Sequence, residues 1–245
     1  MPIRISSFPN VFTPIVCSVF MAFPAGEALS EASGPDYYRV VDVASDDVLN
    51  MRLGPSADHP VVFELPYDAN GVANLGCTGG LALEEWTEAT QEEREASKKR
   101  RWCLVGYDRT VGWVAGRFLA EGRAPELFRA GAPMKGLAGS EWRGTWLLDD
   151  RLEHEVTVAF QSDDEVAGEA GCNRFNGRYS DDRGSLSIGP LATTRKACPE
   201  DLMDVEARFL SALQSANSQV ARHLVLVLLD AQSVIVAQFA RADWD

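Results

Sequence analysis

Short apolar runs, each broken by turn residues after a few positions, dominate the chain from Tyr38 to Phe239. Runs of this kind predict strands, and one later stretch carries the periodicity of a helix packed on a core. Toward the N-terminus the strand candidates are Tyr38–Val43, Val48–Leu53, Val61–Leu65, Trp102–Tyr107 and Thr110–Val114. In the second of these Val48 and Asn50 share one face while Leu49, Met51 and Leu53 share the other, the pattern of a half-buried strand. Further on the candidates are Trp142–Leu148, Val156–Phe160, Val166–Ala170, Phe175–Tyr179 and Leu186–Ile188, then Leu224–Leu229 and Ser233–Phe239. Between them the spacing predicts a helix from Pro199 to about Ala216. Pro199 suits a first helical position, acidic residues fill the first turn, and Leu202, Val205, Phe209 and Leu213, with Leu210, form one apolar stripe. The chain is therefore expected to be mainly β.

The N-terminus reads as an address. Arg4 precedes the mostly apolar run Val11–Phe23, and small residues follow through Ala28. That order is the pattern of a signal peptide at residues 1–28, with Gly26 at position −3 and a cut after Ala25 as the alternative. The run is short against the roughly 20 residues a membrane span needs, and Pro14 and Pro24 interrupt it. A short membrane anchor or a buried strand pair is the competing reading. Cleavage gives a soluble periplasmic or secreted protein with no transmembrane segment and a mature start near Leu29.

Export changes the cysteine arithmetic. Without Cys17 four remain, Cys77, Cys103, Cys172 and Cys198, an even number in an oxidising compartment. Spacing leaves all three connectivities open. The expected pairing places one bridge in each half, Cys77–Cys103 and Cys172–Cys198, each contributing about 3 kcal/mol through chain entropy. No Cys or His stands at metal-ligand spacing, so neither a metal nor a cofactor is expected.

Charge and motifs narrow the function classes. The 245 residues hold 36 acidic against 23 basic side chains, a net charge of −13, which argues against nucleic acid as a partner. His59, His154 and His223 are isolated, and Asp149, Asp150, Asp163 and Asp164 fall in apparent turns. No Gly-x-Ser-x-Gly or Gly-rich phosphate loop is present, so the protein is expected not to be an enzyme. Residues 83–101 lack Gly and Pro. They carry acidic residues first and basic ones last, and Thr90 with Glu93 makes a capping-box pattern, so a helical excursion is expected there. Its terminal run Lys98–Arg101 reads as a solvated helix end, with an anionic polymer site as the competing reading.

Two resemblances organise these halves. Asp46–Ser56, containing Leu49-Asn50-Met51-Arg52-Leu53-Gly54-Pro55-Ser56, is followed by Gly112-Trp113-Val114 and Phe118-Leu119. This order resembles the bacterial SH3 (SH3b) family over residues 37–121, with the helical excursion as an insertion. The resemblance implies a small β-barrel. Tyr38, Trp86, Tyr107 and Trp113 are then candidates for a ligand groove, Tyr38 and Tyr107 being the better surface candidates and Trp113 the better core candidate.

A Gly- and Pro-rich linker at 122–135 leads to residues 136–241. There Gly171-Cys172-Asn173-Arg174-Phe175-Asn176-Gly177 and Thr193-Thr194-Arg195-Lys196-Ala197-Cys198 resemble the META family, which includes the HslJ-like envelope proteins. That resemblance implies an α+β domain with an antiparallel sheet and one helix, and a link to stress tolerance without a settled activity. Asn173, Arg174, Asn176, Thr194 and Arg195 are candidates for a polar site; a structural turn and hydrogen-bond set is the competing reading. The combined expectation is an exported, non-catalytic envelope protein. Its SH3-like half would bind peptidoglycan or an envelope protein, and its META-like half would serve stress tolerance or scaffolding. The alternatives are a periplasmic small-molecule or lipid carrier using a META pocket, and a cell-wall hydrolase.

Overall fold

The computed structural model describes residues 34–125, 133–148, 150–162 and 164–242, so the expected signal peptide lies outside the described residues. Strands β1 (Tyr37–Val40), β2 (Val48–Arg52), β3 (Val61–Pro66), β4 (Asn70–Thr78), β5 (Trp102–Tyr107), β6 (Thr110–Ala115) and β7 (Leu119–Glu121) form one antiparallel sheet. Their order is β3-β2-β6-β5-β4-β1-β7. Period-2 patterning places Leu49 and Met51 of β2 in the core, as expected. The hairpin joining β5 and β6 turns on Asp108 and Arg109, both at positive φ, the backbone that matches strand twist in a two-residue turn. Gly112 of β6 is required by close approach, since a Cβ there would lie 2.3 Å from Met51 Cγ. Strand β4 is an addition to the expected set. Its sequence interleaves Gly and Asn, residues depleted in strands, and the ladders to β1 and β5 override that preference.

The excursion between β4 and β5 is two helices rather than one, α1 (Leu83–Glu88) and α2 (Gln91–Arg100). The capping signal is itself the reason for the break. An N-cap residue takes extended backbone angles, and Thr90 sits at φ −66°, ψ 164°. Its Oγ1 accepts from the Glu93 amide at 3.3 Å, and the Glu93 carboxylate accepts from the Thr90 amide at 2.8 Å. Arg94 then donates to the Trp86 and Thr87 carbonyls at 2.9 and 3.2 Å, which closes α1. Replacing Thr90 by Ala is expected to destabilise α2 by about 1 kcal/mol. Faster hydrogen exchange confined to the α2 amides is the readout, and unchanged protection there contradicts the cap.

The second sheet contains β8 (Ser140–Leu147), β9 (Asp150–Arg151), β10 (Thr157–Phe160), β11 (Glu165–Glu169), β12 (Arg174–Asp182) and β13 (Ser185–Ile188). It is completed by β14 (Ala192–Thr193), β15 (Ser218–Ala221), β16 (Val225–Leu229) and β17 (Ile235–Arg241), with α3 (Glu200–Ser215) between β14 and β15. The expected antiparallel sheet closes on itself. Strand order runs β10-β11-β12-β13-β15-β16-β17-β8, and β8 pairs with β10 as well, which makes an eight-stranded barrel. Closure removes the sheet edges. Strands β9, β14 and β15 are too short or too polar to register as apolar runs. Helix α3 begins at Glu200, with Pro199 capping it rather than opening it.

Side chains fill the barrel. Trp142, Val158, Phe160, Val166, Phe175, Leu186, Leu226 and Phe239 are buried together. Phe209 of α3 has no exposed surface and meets Phe175 of β12 and Phe239 of β17, rings from well-separated strands of the circuit. Helix α3 thus plugs the barrel. An eight-stranded barrel is about wide enough for packed side chains or one small ligand, and here side chains take the space.

The two sheets share a core instead of hanging from a free linker. Alternate residues of the first sheet form one cluster of their own, with Leu49, Met51, Leu65, Val72, Val105 and Val114. The opposite face carries Leu53, Leu75, Leu104, Val111 and Trp113, which pack on Val227, Leu229 and Ile235 from the outside of the barrel. Even if half of each side chain were covered within its own sheet, burying these eight would contribute on the order of 10 kcal/mol. Polar contacts align the faces: the Ile235 amide donates to Leu53 O at 2.9 Å, and Arg222 donates to Asn74 O at 3.0 Å. Both ends of the expected linker are tied down as well. Gly122 donates to Tyr37 O at 2.9 Å and Met134 to Ala221 O at 3.0 Å, while residues 126–132 lie outside the described residues.

Candidate functional site

The expected polar set of the C-terminal half separates into a locked part and a solvent-facing part. Asn173 is 3% exposed, and every hydrogen-bonding group it has is used. Its amide and Nδ2 donate to Glu206 Oε2 at 3.0 and 2.9 Å, and its Oδ1 accepts from Thr194 Oγ1 at 2.7 Å and the Lys196 amide at 2.8 Å. This ties the start of β12 to α3 and to the segment after β14. Asn173 and Thr194 therefore hold the fold. Glu206 is the residue this set lacked; it lies within the helix stripe, where a buried carboxylate interrupts apolar positions.

Arg174, Asn176 and Arg195 reach solvent. Arg174 pairs with Glu169 at 3.1 Å, and with Asn176 it lines an open depression of about 350 Å³ floored by Ala159, Ala167 and Gly168. Small side chains on adjacent strands create it, since Ala159 pairs with Ala167 and Ala167 with Asn176. The structure places Arg195 on the surface without bringing it into that depression.

The aromatic candidates do not share one exposed groove. Tyr38, expected at the surface, is 3% exposed and belongs to the inner cluster of the first sheet. β1 is held between β4 and β7, so both its edges are paired, and Tyr38 and Val40 point into the inner cluster while Arg39 faces solvent. Burial pushes the Tyr38 hydroxyl above its ordinary range, and the neighbouring Arg101 guanidinium partly opposes that rise. Trp113, 5% exposed, lies in the cluster between the two sheets, and its indole nitrogen has no hydrogen-bond partner. Trp86 is half-buried beneath the Arg94 guanidinium, 5.7 Å from its ring centroid. Tyr107 remains at a half-buried position, paired with Phe63 at 6.1 Å between centroids, and Tyr67 is exposed nearby in sequence at the end of β3. Phe63 and Tyr67 were not among the expected candidates; Phe63 was part of a strand run.

The four cations at the end of α2 also disperse. Lys98 pairs with Glu95 at 2.8 Å, Arg100 lines a depression of about 440 Å³ with Glu85, Glu88 and Glu93, and Arg101 turns back to Tyr38. Lys98, Lys99 and Arg100 are all exposed at the helix end. His154 faces Asp201 at 3.6 Å, Asp150 pairs with Arg208 at 2.7 Å, and Asp164 pairs with Arg178. Asp149 and Asp163 lie outside the described residues. Among the described residues no group of three His, Cys, Asp or Glu side chains is placed to hold a metal ion, and no described helix is long and apolar enough to cross a membrane.

Both expected cysteine pairs are at disulfide distance, Cys77 with Cys103 and Cys172 with Cys198. The first joins directly paired residues of β4 and β5, at the feet of the α1–α2 excursion. The second joins the turn before β12 to the residue before Pro199.

The family model described as the META domain matches residues 135–243, in agreement with the resemblance of the C-terminal half. Among solved structures, an NMR structure of a protein from Burkholderia xenovorans is 24% identical and covers 50% of this chain and 94% of its own, at a TM-score of 0.39. A crystal structure of a DUF4847 family protein from Bacteroides vulgatus is 16% identical, covering 44% of this chain and 96% of its own, at a TM-score of 0.34. No curated protein matches the chain.

Proposed function

We propose that this is an exported, non-catalytic envelope protein in which an SH3-like binding module is built onto a META-domain barrel. The strand order of the first sheet, with a 3-10 turn at Gly116–Phe118 leading into β7, supports an SH3-like reading of residues 37–121. Two disulfides fit an oxidising compartment. The observation that carries the binding role is the asymmetry of the first sheet. One face is consumed by the barrel, so ligand contact falls to the β3 and β5–β6 end, where Phe63 and Tyr107 pair and Tyr67 is exposed just beyond β3. Flat rings there suit cell-wall stem peptides or an extended segment of an envelope protein. The META-domain half acts as the rigid scaffold of a stress-related module.

Co-sedimentation of the whole mature chain with purified peptidoglycan tests this. The expected result is pelleting of the wild type and a several-fold lower bound fraction for Phe63→Ala with Tyr107→Ala. If the wild type stays in the supernatant, the wall-binding reading is lost.

A further inference from the structure

The two disulfides differ in what surrounds their sulfurs. Cys77 is exposed, whereas Cys103 has no exposed surface. Arg101 Nη2 lies 3.1 Å from Cys77 Sγ and also donates to Tyr38 Oη at 3.0 Å. The Tyr38 hydroxyl, having accepted from Arg101, stands 3.4 Å from the same sulfur with its proton available. Arg101 is not a stray surface cation. Its amide caps α2 on Ser97 O at 3.1 Å, and its carbonyl accepts from Gly116 at 2.7 Å. Its stem runs over two glycines: a Cβ on Gly116 would come within 2.9 Å of Arg101 Cγ, and Gly80 lies against the Cγ and Cδ. Backbone and packing together aim the guanidinium at Cys77. The other pair has different company. Cys172 is buried beside the Asn173 amide, 3.5 Å away, and Asn173 holds the Glu206 carboxylate.

We propose that Cys77 is a site of thiol–disulfide exchange, the sulfur through which an external thiol or dithiol enters the Cys77–Cys103 bond. The incoming thiolate attacks Cys77 Sγ, the accessible sulfur. A new S–S bond forms there while the Cys77–Cys103 bond breaks, and its electron pair leaves on Cys103, which takes up a proton. A second external thiolate then attacks the external sulfur of the mixed disulfide and releases Cys77 as thiolate. Two electrons pass to the protein pair, and the external thiols end as a disulfide. The guanidinium and the phenol hydroxyl stabilise the released thiolate, as a cation beside a thiolate stabilises the reduced form of a dithiol. Cys172 has only the neutral Asn173 amide at 3.5 Å and the Lys196 carbonyl at 3.7 Å against its sulfur, with no cation placed on it among the described residues, so the Cys77–Cys103 pair opens first.

The test equilibrates the oxidised full chain over a series of reduced-to-oxidised glutathione ratios, then quenches, alkylates and maps peptides by mass spectrometry. The expected result is opening of Cys77–Cys103 at a ratio about tenfold less reducing than Cys172–Cys198, with glutathione adducts at Cys77 and not Cys103. Arg101→Gln should shift the first transition toward the second and leave the second in place. Simultaneous opening, an adduct on Cys103, or a shift of both transitions overturns the proposal. In Cys103→Ser, the pH midpoint for Cys77 alkylation should fall below the value of about 8.5 usual for a free thiol and rise when Arg101 is also replaced. An unchanged midpoint counts against it, and the wild-type titration stands alone should that variant fail to fold.

Discussion

Replacing Phe209 by Ala is expected to destabilise the protein by about 3–5 kcal/mol, the range for deleting a fully buried aromatic ring. The ring has no exposed surface and meets Phe175 and Phe239 edge-on, so its removal leaves a cavity inside a closed core. Its removal also loosens the one helix that fills the barrel, against walls that pairing of β8 with β10 holds in place. Chemical denaturation should show the lower midpoint, and thermal melting should show a drop on the order of 10 °C. The Cys172–Cys198 bridge keeps the start of α3 near the barrel, so the loss is one of packing rather than helix detachment. A change near 1 kcal/mol contradicts the plug.

Gln238→Leu is expected to destabilise the protein by about 3 kcal/mol while exchanging a polar residue for an apolar one of similar size. Gln238 is 2% exposed; its Oε1 accepts from the Val111 amide at 3.1 Å and its Nε2 donates to the Val111 carbonyl at 2.8 Å. Leucine leaves both Val111 groups buried without partners, each worth about 1–3 kcal/mol. Since Val111 belongs to the first sheet and Gln238 to the barrel, unfolding should remain a single transition at the lower midpoint. Two separated transitions contradict a shared core. The companion variant Gln238→Glu fixes the sign with pH. As a carboxylate it accepts from the Val111 amide but faces the Val111 carbonyl with a charge, and only its protonated form reproduces both bonds. Burial raises the folded-state pKa of such a group above its unfolded value, so the variant gains stability as pH falls through the folded pKa and loses it as pH rises. A flat or opposite pH dependence relative to the wild type removes the argument.

The readable parts of the fold are local. Alternation in Val48–Leu53, the apolar stripe of α3 and the Thr90–Glu93 cap all arise from contacts a few residues apart, and each appears where its pattern lies. The excursion was legible as helical, and its division at Thr90 was implied by the same cap, since an N-cap cannot sit inside a continuing helix. Signals for the shared core were also present but ambiguous. The unbroken run Leu224–Leu229 and the fully buried Thr110–Ala115 lack polar alternation because each strand is covered on both faces. A run of that kind says that a second cover exists and not what supplies it.

The candidate sites were legible as residue types and illegible as positions. Tyr38 sits in a short strand whose flanks look like any edge; its burial comes from the inner cluster of Leu49, Met51, Leu65, Val72 and Val105, which all follow it in the chain. Trp113 reads as the better core candidate from strand alternation, and the barrel wall supplies the surface that covers it. Asn173 reads as a turn residue, and only the approach of α3 gives it Glu206 to hold.

By itself the sequence determined the short-strand character of both halves, the one long amphipathic helix, the capped excursion and a cysteine count that permits two bridges. These follow from periodicity, capping and parity, which act over a few residues or need only counting. Tertiary structure alone decided that β8 closes a barrel on β10, that the barrel's outer wall covers the first sheet, and that Arg101 points at Cys77 while the neutral Asn173 amide meets Cys172. Closure, coverage and the electrostatic surroundings of a sulfur are set by groups far apart along the chain, and a local pattern carries no information about which distant surface arrives to meet it.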